Sequence, residues 1–122
     1  MEIYNSAYCV YAHINKINGK MYIGMTKYGY NPNIRWQDGK GYKNCRYFYS
    51  AIEKYGWNNF DHEIIANHLT LLEANHFEEL LINKLETTNP DRGYNLKFGG
   101  ETNMCTQEMK NKMLAGNIQK KS

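Results

Sequence analysis

Apolar and polar residues alternate over positions 9–15 and again over 21–26, on either side of Asn18-Gly19. Asn-Gly between two such runs predicts a β-hairpin, because both positions tolerate the positive φ of a type I′ turn. A two-residue turn there pairs Asn15 with Tyr22 and Tyr11 with Thr26. Side chains alternate along each strand, and cross-strand partners share a face. One face therefore carries Val10, Ala12, Ile14, Met21, Ile23 and Met25, with Tyr8 further out, and reads as core. The other carries Tyr11, His13, Asn15, Tyr22, Gly24 and Thr26. It reads as a polar face that sets two phenols around a glycine.

The period then changes. Asn31-Pro32 starts a short helix through Arg35-Trp36, with Pro at an early helical position. Gly39-Lys40-Gly41 breaks it. Phe48, Ile52 and Tyr55 fall at helical spacing, predicting an amphipathic helix over 46–55 that Gly56 stops. Residues 60–65 read as a third strand. Thr70 with Glu73 three residues later forms a capping box for a long helix to about Leu85, and Asn89-Pro90 ends it. Gly93-Tyr94-Asn95 and Gly99-Gly100 punctuate an irregular segment, and Thr106-Gln107-Glu108 caps a last short helix to about Ala115. The order predicts a small α+β domain with one mostly antiparallel sheet.

Composition narrows the class. A chain of 122 residues is one domain with at most a short appendage. Its three cysteines, Cys9, Cys45 and Cys105, have no paired spacing, which predicts reduced thiols and argues against a disulfide scaffold or zinc ribbon. No basic-then-apolar leader opens the sequence, and no apolar run is long enough to span a membrane. Charge is uneven: net +5 over residues 1–56, −4 over 57–100 and +2 over 101–122. Basic segments around an acidic middle fit a polyanion partner, with carboxylates left for a metal or for solvation.

On the long helix, Leu71, Leu72, Ala74, Phe77, Leu80, Leu81, Ile82 and Leu85 form a broad apolar stripe. Glu78 falls inside it, between Ala74, Leu81, Ile82 and Leu85. A buried carboxylate costs several kcal/mol unless a cation, a metal or strong donors meet it. Among eleven tyrosines, two on neighbouring strands need no function by themselves. Glu78 changes that balance.

The chain resembles the GIY-YIG nucleases over nearly its whole length. Cys9-Val10-Tyr11 and Tyr22-Ile23-Gly24 stand where that family has its two triplets. Arg35-Trp36 matches its helix arginine. Ala74, Phe77, Glu78, Leu81 and Ile82 match its metal-binding glutamate with the apolar frame. Gly93-Tyr94-Asn95 followed by Gly99-Gly100 matches its closing motif. The stretch 51–60 resembles phage and homing-endonuclease-like members in particular. Cys9 departs from the family's usual glycine.

The resemblance implies a three-stranded, mostly antiparallel sheet flanked by helices over residues 1–100, with 101–122 as a basic tail or partial DNA-binding element. It implies hydrolysis of DNA phosphodiester bonds with Mg²⁺ or Mn²⁺. Such chemistry needs a base for water, a cation at the phosphate oxygens and a group for the leaving oxygen. By resemblance Tyr11 is the base, Tyr22 a hydrogen-bond donor to the phosphate or nucleophile network and Arg35 the phosphate contact. Glu78 is the metal ligand, and Asn95 orders the site from the closing loop. Members often place a His, Tyr or Lys after the arginine to help the base. Here Lys43 and Tyr42 are the candidates, with Lys43 preferred. Phosphate-backbone contacts fall to Arg35, Lys40, Lys43 and Arg46, with His13 facing the substrate; Lys110, Lys112, Lys120 and Lys121 in the tail join them or keep it soluble. His62 reads as structural, His76 as solvated, and Trp36 and Trp57 as core.

The expected partner is double-stranded DNA, with no membrane, in the cytoplasm of a bacterial or phage-infected cell. Few arginines imply weak sequence preference and strong salt dependence. Two other readings stand beside this one: a nucleic-acid-binding module without catalysis, such as a homing-enzyme remnant, and a nuclease for RNA or branched DNA. Oligomeric state is open.

Overall fold

A computed structural model of the chain describes residues 6–96. The expected last helix, the basic tail and Gly99-Gly100 lie outside the described residues. Three strands, β1 (Tyr8–Asn15), β2 (Met21–Thr26) and β3 (Phe60–Leu69), form one antiparallel sheet in the order β2-β1-β3. Three helices flank it: α1 (Asn33–Trp36), α2 (Arg46–Tyr55) and α3 (Leu71–Leu85). The α+β architecture matches the expectation. No helix among the described residues is long and apolar enough to cross a membrane.

The hairpin keeps its faces but not its expected register. Tyr11 pairs with Gly24 and His13 with Tyr22, two residues from the expected pairing. A shift of two preserves the alternation, so no side chain changes face. The cause lies in the loop, where Gly19 takes a left-handed φ of 79° and Asn18 does not. The side chain of Asn15 accepts from Ile17 N and that of Asn18 from Lys20 N, both closing local turns. Gly19 N donates to Asn15 O, and four residues, 16–19, make the turn.

Both faces of the sheet are core. Val10, Ala12, Ile23 and Met25 pack under α3 against Ala74, Phe77, Leu81 and Ile82. Tyr11, Tyr22, Trp36, Tyr42, Phe48, Ile52, Phe60 and Tyr94 pack on the other face, under α1 and α2. The face expected to be polar is thus an aromatic core. Phenol, imidazole and amide groups score as polar, but each ring brings a large apolar body, and its polar tip is met internally. His13 and Asn15 have no exposed surface.

The capping box at Thr70 is present in both directions, with Glu73 N donating to Thr70 Oγ1 and Thr70 N to Glu73 Oε1. Ala74 and Glu78 are the buried residues of α3, whereas Leu72 is 78% exposed and Leu80 is exposed as well. The apolar stripe is therefore narrower than expected, and Glu78 lies in its most enclosed part. Cys9 is a free, buried thiol pushed up to about 11 by burial. Cys45 is disulfide-bonded, so of the two described cysteines the expectation of reduced thiols holds for Cys9 and not for Cys45. Cys9 has no left-handed φ, and a non-glycine residue fits there.

Candidate active site around Tyr11

The Tyr11 ring lies across β2 at Gly24. A Cβ on Gly24 would stand 2.7 Å from the Tyr11 Oη and Cε1 atoms, so glycine makes the space that the phenol occupies. Trp36 meets the ring edge-on at 5.2 Å, and His13 tilts against it at 5.0 Å. Tyr11 is 1% exposed.

Arg35 reaches the same place from α1. After α1 the chain turns sharply, with Gln37 and Asp38 both left-handed, and brings Gly41 and Tyr42 back over the sheet. Arg35 Nη1 donates to Gly41 O at 2.6 Å, and its guanidinium lies 4.5 Å from the Tyr42 ring centre. Two contacts on one planar cation fix its direction. Tyr42 Oη and Tyr11 Oη are hydrogen-bonded at 2.9 Å.

Of the two candidates after the arginine, Lys43 and Tyr42, the structure brings Tyr42 to Tyr11 and not the preferred Lys43. Lys43 is exposed, and Tyr42 is the residue bonded to Tyr11. The consecutive left-handed residues set which of the two neighbours turns inward, and a linear reading of a Gly-containing loop does not count them. Lys40 is exposed with Lys43 on the same connection, and Arg46 is exposed at the start of α2. His13 is enclosed, so it does not present a surface to a substrate. His76 is exposed, as expected.

Glu78 is 4% exposed and lies near enough for its charge to act on Tyr11. Burial pushes the Tyr11 phenol up to about 12; the Arg35 charge and the Tyr42 hydrogen bond pull it down, and the Glu78 carboxylate pushes it further up. Tyr42 is also raised, first by burial and then by the neighbouring Tyr11 and Tyr22, with Arg35 opposing. Tyr11, Arg35, Tyr42 and Glu78 therefore share one electrostatic neighbourhood. Tyr22 stacks on Phe48 at 4.3 Å and meets Tyr42 edge-on at 5.3 Å. The Nε1 of Trp36 is buried without a hydrogen-bond partner, which leaves one unpaired donor in the wall around Tyr11.

Asn95 acts on the backbone. Residues 92–95 run alongside the outer edge of β2: Met21 N donates to Arg92 O and Tyr94 N to Met21 O. One step on, the Asn95 side chain replaces a peptide, its Oδ1 accepting from Ile23 N and its Nδ2 donating to Ile23 O. The clamp holds the strand between Tyr22 and Gly24. Asn95→Ala strips both bonds from the Ile23 peptide and is expected to cost about 1–3 kcal/mol. Amide exchange at Ile23 should accelerate. An unchanged exchange rate there would remove the clamp role.

Sequence reasoning read His62 as structural and did not find its partner. It pairs with His13 across β1 and β3, their Nδ1 atoms 2.8 Å apart, and it stacks on Trp57 at 4.0 Å. The available signal was the third strand itself, since alternation puts His62 on the face opposite Asp61 and Glu63. Its partner depends on a register that no local pattern sets.

The buried groups give the fold a pH window. Burial, with the charges of His62 and Arg35, holds His13 well below the usual imidazole range. Its stability contribution is present above about pH 6.5 and is lost as pH falls, because only the unfolded chain takes up the proton. Tyr11 is the reverse case: the unfolded phenol ionises near pH 10 and the folded one near 12. Stability should fall by roughly 2–3 kcal/mol across that interval. Urea midpoints at pH 5, 7.5 and 11 should be highest at 7.5. A flat profile would show that neither group is buried in its neutral form.

Comparison with known proteins adds no relative: no family model matches the chain, and no curated protein or solved structure does.

Proposed function

We propose that the protein is a metal-dependent endonuclease of the GIY-YIG type that hydrolyses DNA phosphodiester bonds. The observation that carries this reading is the convergence on Tyr11. Arg35 from α1 and Glu78 from α3 both act on its phenol, which lies in a space that Gly24 leaves open. A structural tyrosine has no need of an opposed cation and carboxylate in its neighbourhood. Phosphodiester hydrolysis uses both.

In this reading Tyr11, once ionised, takes the proton of the attacking water. Arg35 holds a non-bridging phosphate oxygen through its planar guanidinium. Tyr22 supports the phosphate or nucleophile network, and Asn95 keeps β2 in place beneath it. The donor set fits Mg²⁺ or Mn²⁺ at Glu78. Such ions take one or two carboxylates and complete their shell with water and phosphate. Among the described residues no group of three His, Cys, Asp or Glu gathers, so a cation would be shared with the substrate. Glu78 would hold the cation, which when bound would supply a Lewis acid for the phosphate oxygens and offset the carboxylate charge that opposes ionisation of Tyr11.

One observation favours a second reading, a nucleic-acid-binding module without catalysis: Tyr11 is nearly closed to solvent, and a base must be reached by water. Nicking of supercoiled plasmid separates the two. The nuclease reading expects cleavage with Mg²⁺ or Mn²⁺, none with excess chelator, and recovery on adding metal back. Salt-sensitive DNA binding that persists in chelator, with no cleavage under any metal, would support the binding module instead. Duplex, single-stranded, branched and RNA substrates in the same assay test the expectation of duplex DNA.

A further inference from the structure

A continuous line of hydrogen bonds leads from Tyr11 through the core towards the surface. Tyr42 Oη lies 2.9 Å from Tyr11 Oη and 2.8 Å from His13 Nε2, and His13 Nδ1 lies 2.8 Å from His62 Nδ1. Tyr11, Tyr42 and His13 are enclosed, whereas His62 is half-buried. The proton inventory constrains this line. Each hydroxyl has one hydrogen, and each neutral imidazole has one donor and one acceptor nitrogen. The contact between two Nδ1 atoms is a hydrogen bond only if the rings are opposite tautomers. Burial disfavours the charged form of both rings, which keeps the count at one hydrogen per ring.

Three bonds and one hydrogen per bond leave two arrangements. In the outward one, Tyr11 donates to Tyr42, Tyr42 to His13 Nε2, and His13 Nδ1–H to His62 Nδ1. In the inward one every donor is reversed, and Tyr42 donates to Tyr11.

We propose that this line is a proton exit for Tyr11, with Tyr42, His13 and His62 as relay residues that act through it. The proposal rests on Tyr11 being the base. Starting outward, the Tyr11 O–H bond breaks and its proton joins Tyr42 Oη. The Tyr42 proton passes to His13 Nε2, and the His13 Nδ1 proton passes to His62 Nδ1. Each atom that loses a proton keeps the electron pair. Tyr11 becomes a phenolate, and His62 becomes an imidazolium with hydrogens on both nitrogens. His62 then gives its Nε2 proton to water. The line is left inward, with Tyr42 donating to the phenolate that will receive the proton of the attacking water.

The surroundings suit this direction. Arg35 faces Tyr11, Tyr42 and His13, and favours a phenolate over a charged His13. Glu78 and Cys9 face Tyr11, and Tyr22 faces Tyr42. His62 faces Asp61, Asp38 and a Trp57 backbone group, which favour its charged form, and Lys16, which opposes it. Burial still disfavours a charged His62, but these groups partly offset it, whereas nothing offsets it at His13.

The test uses the full chain and has two independent readouts. Nitrogen-15 NMR of histidine-labelled protein needs no nuclease activity. It should show His13 and His62 as opposite tautomers with a coupling across the Nδ1–Nδ1 hydrogen bond. Carbon-13 labelling of the tyrosine Cζ should show the Tyr11 titration moving up in Tyr42→Phe, which keeps the ring but cuts the line. In the cleavage assay, His62→Gln should lower kcat about 10–100-fold with KM unchanged, and should alter the pH profile of kcat. A merely structural His62 would lower the urea midpoint and leave that profile alone. Identical tautomers, no coupling, or a wild-type kcat profile in His62→Gln would overturn the proton exit. If the wild type fails to cut DNA while the NMR results hold, the nuclease reading fails and the hydrogen-bonded line stands without it.

Discussion

Gly24→Ala is expected to lower stability by about 1–3 kcal/mol and to reduce cleavage roughly 100-fold. The added methyl would stand 2.7 Å from the Tyr11 hydroxyl and ring. The ring has little freedom to retreat: Trp36 and His13 pack against it, and Tyr42 holds its oxygen. Either the phenol moves away from Arg35 and Glu78 or β2 bulges outward against the Asn95 clamp. Both displace the group proposed as the base. Urea denaturation and plasmid nicking measure the two effects together. A Gly24→Ala chain as stable and active as the wild type would mean that Tyr11 does not work in the position described.

The second large effect concerns Arg35. Arg35→Ala removes the cation that lowers Tyr11, Tyr42 and His13 together, and it frees the Gly41 carbonyl. Loss of a preorganised charge at a phosphate is expected to cost about 10²–10³ in kcat, and the Tyr11 titration should rise further. Arg35→Lys should rescue little. A lysine carries a point charge, and it does not reproduce a plane lying over Tyr42 while one edge bonds to Gly41. Wild-type rates in Arg35→Lys would show that the planar geometry is unused.

Much of this arrangement was legible in the sequence where its causes are local. The capping box of α3, the bounds of α2 and the faces of the hairpin follow from residues three or four apart, or alternating. The buried position of Glu78 followed from helical geometry, because a step of 100° per residue fixes neighbours on one helix. The errors arose where side chains compete with backbone or where contacts are distant. The asparagines at 15 and 18 lengthened the turn and moved the register by two. Leu72 and Leu80 carry the right hydropathy but sit beyond the strip that the sheet covers. Tyr42 displaced Lys43 because two left-handed residues redirect the chain before them. The pairing of His13 with His62 joins residues 49 apart, and only the assembled sheet sets it. A face of tyrosine, histidine and asparagine reads as polar until its partners are in place, and then it is core.

The most direct measurement is nicking of supercoiled plasmid in Mn²⁺ by the wild type, Tyr11→Phe and Glu78→Ala, each checked for folding by urea denaturation. Tyr11→Phe keeps the ring under Trp36 and removes only the oxygen, and Glu78→Ala removes the carboxylate from the same neighbourhood. Hydrolysis at this site requires that the wild type cut and that both variants fall by about 10³-fold or more. Equal cleavage by all three folded proteins would contradict a tyrosine base and a glutamate-bound metal.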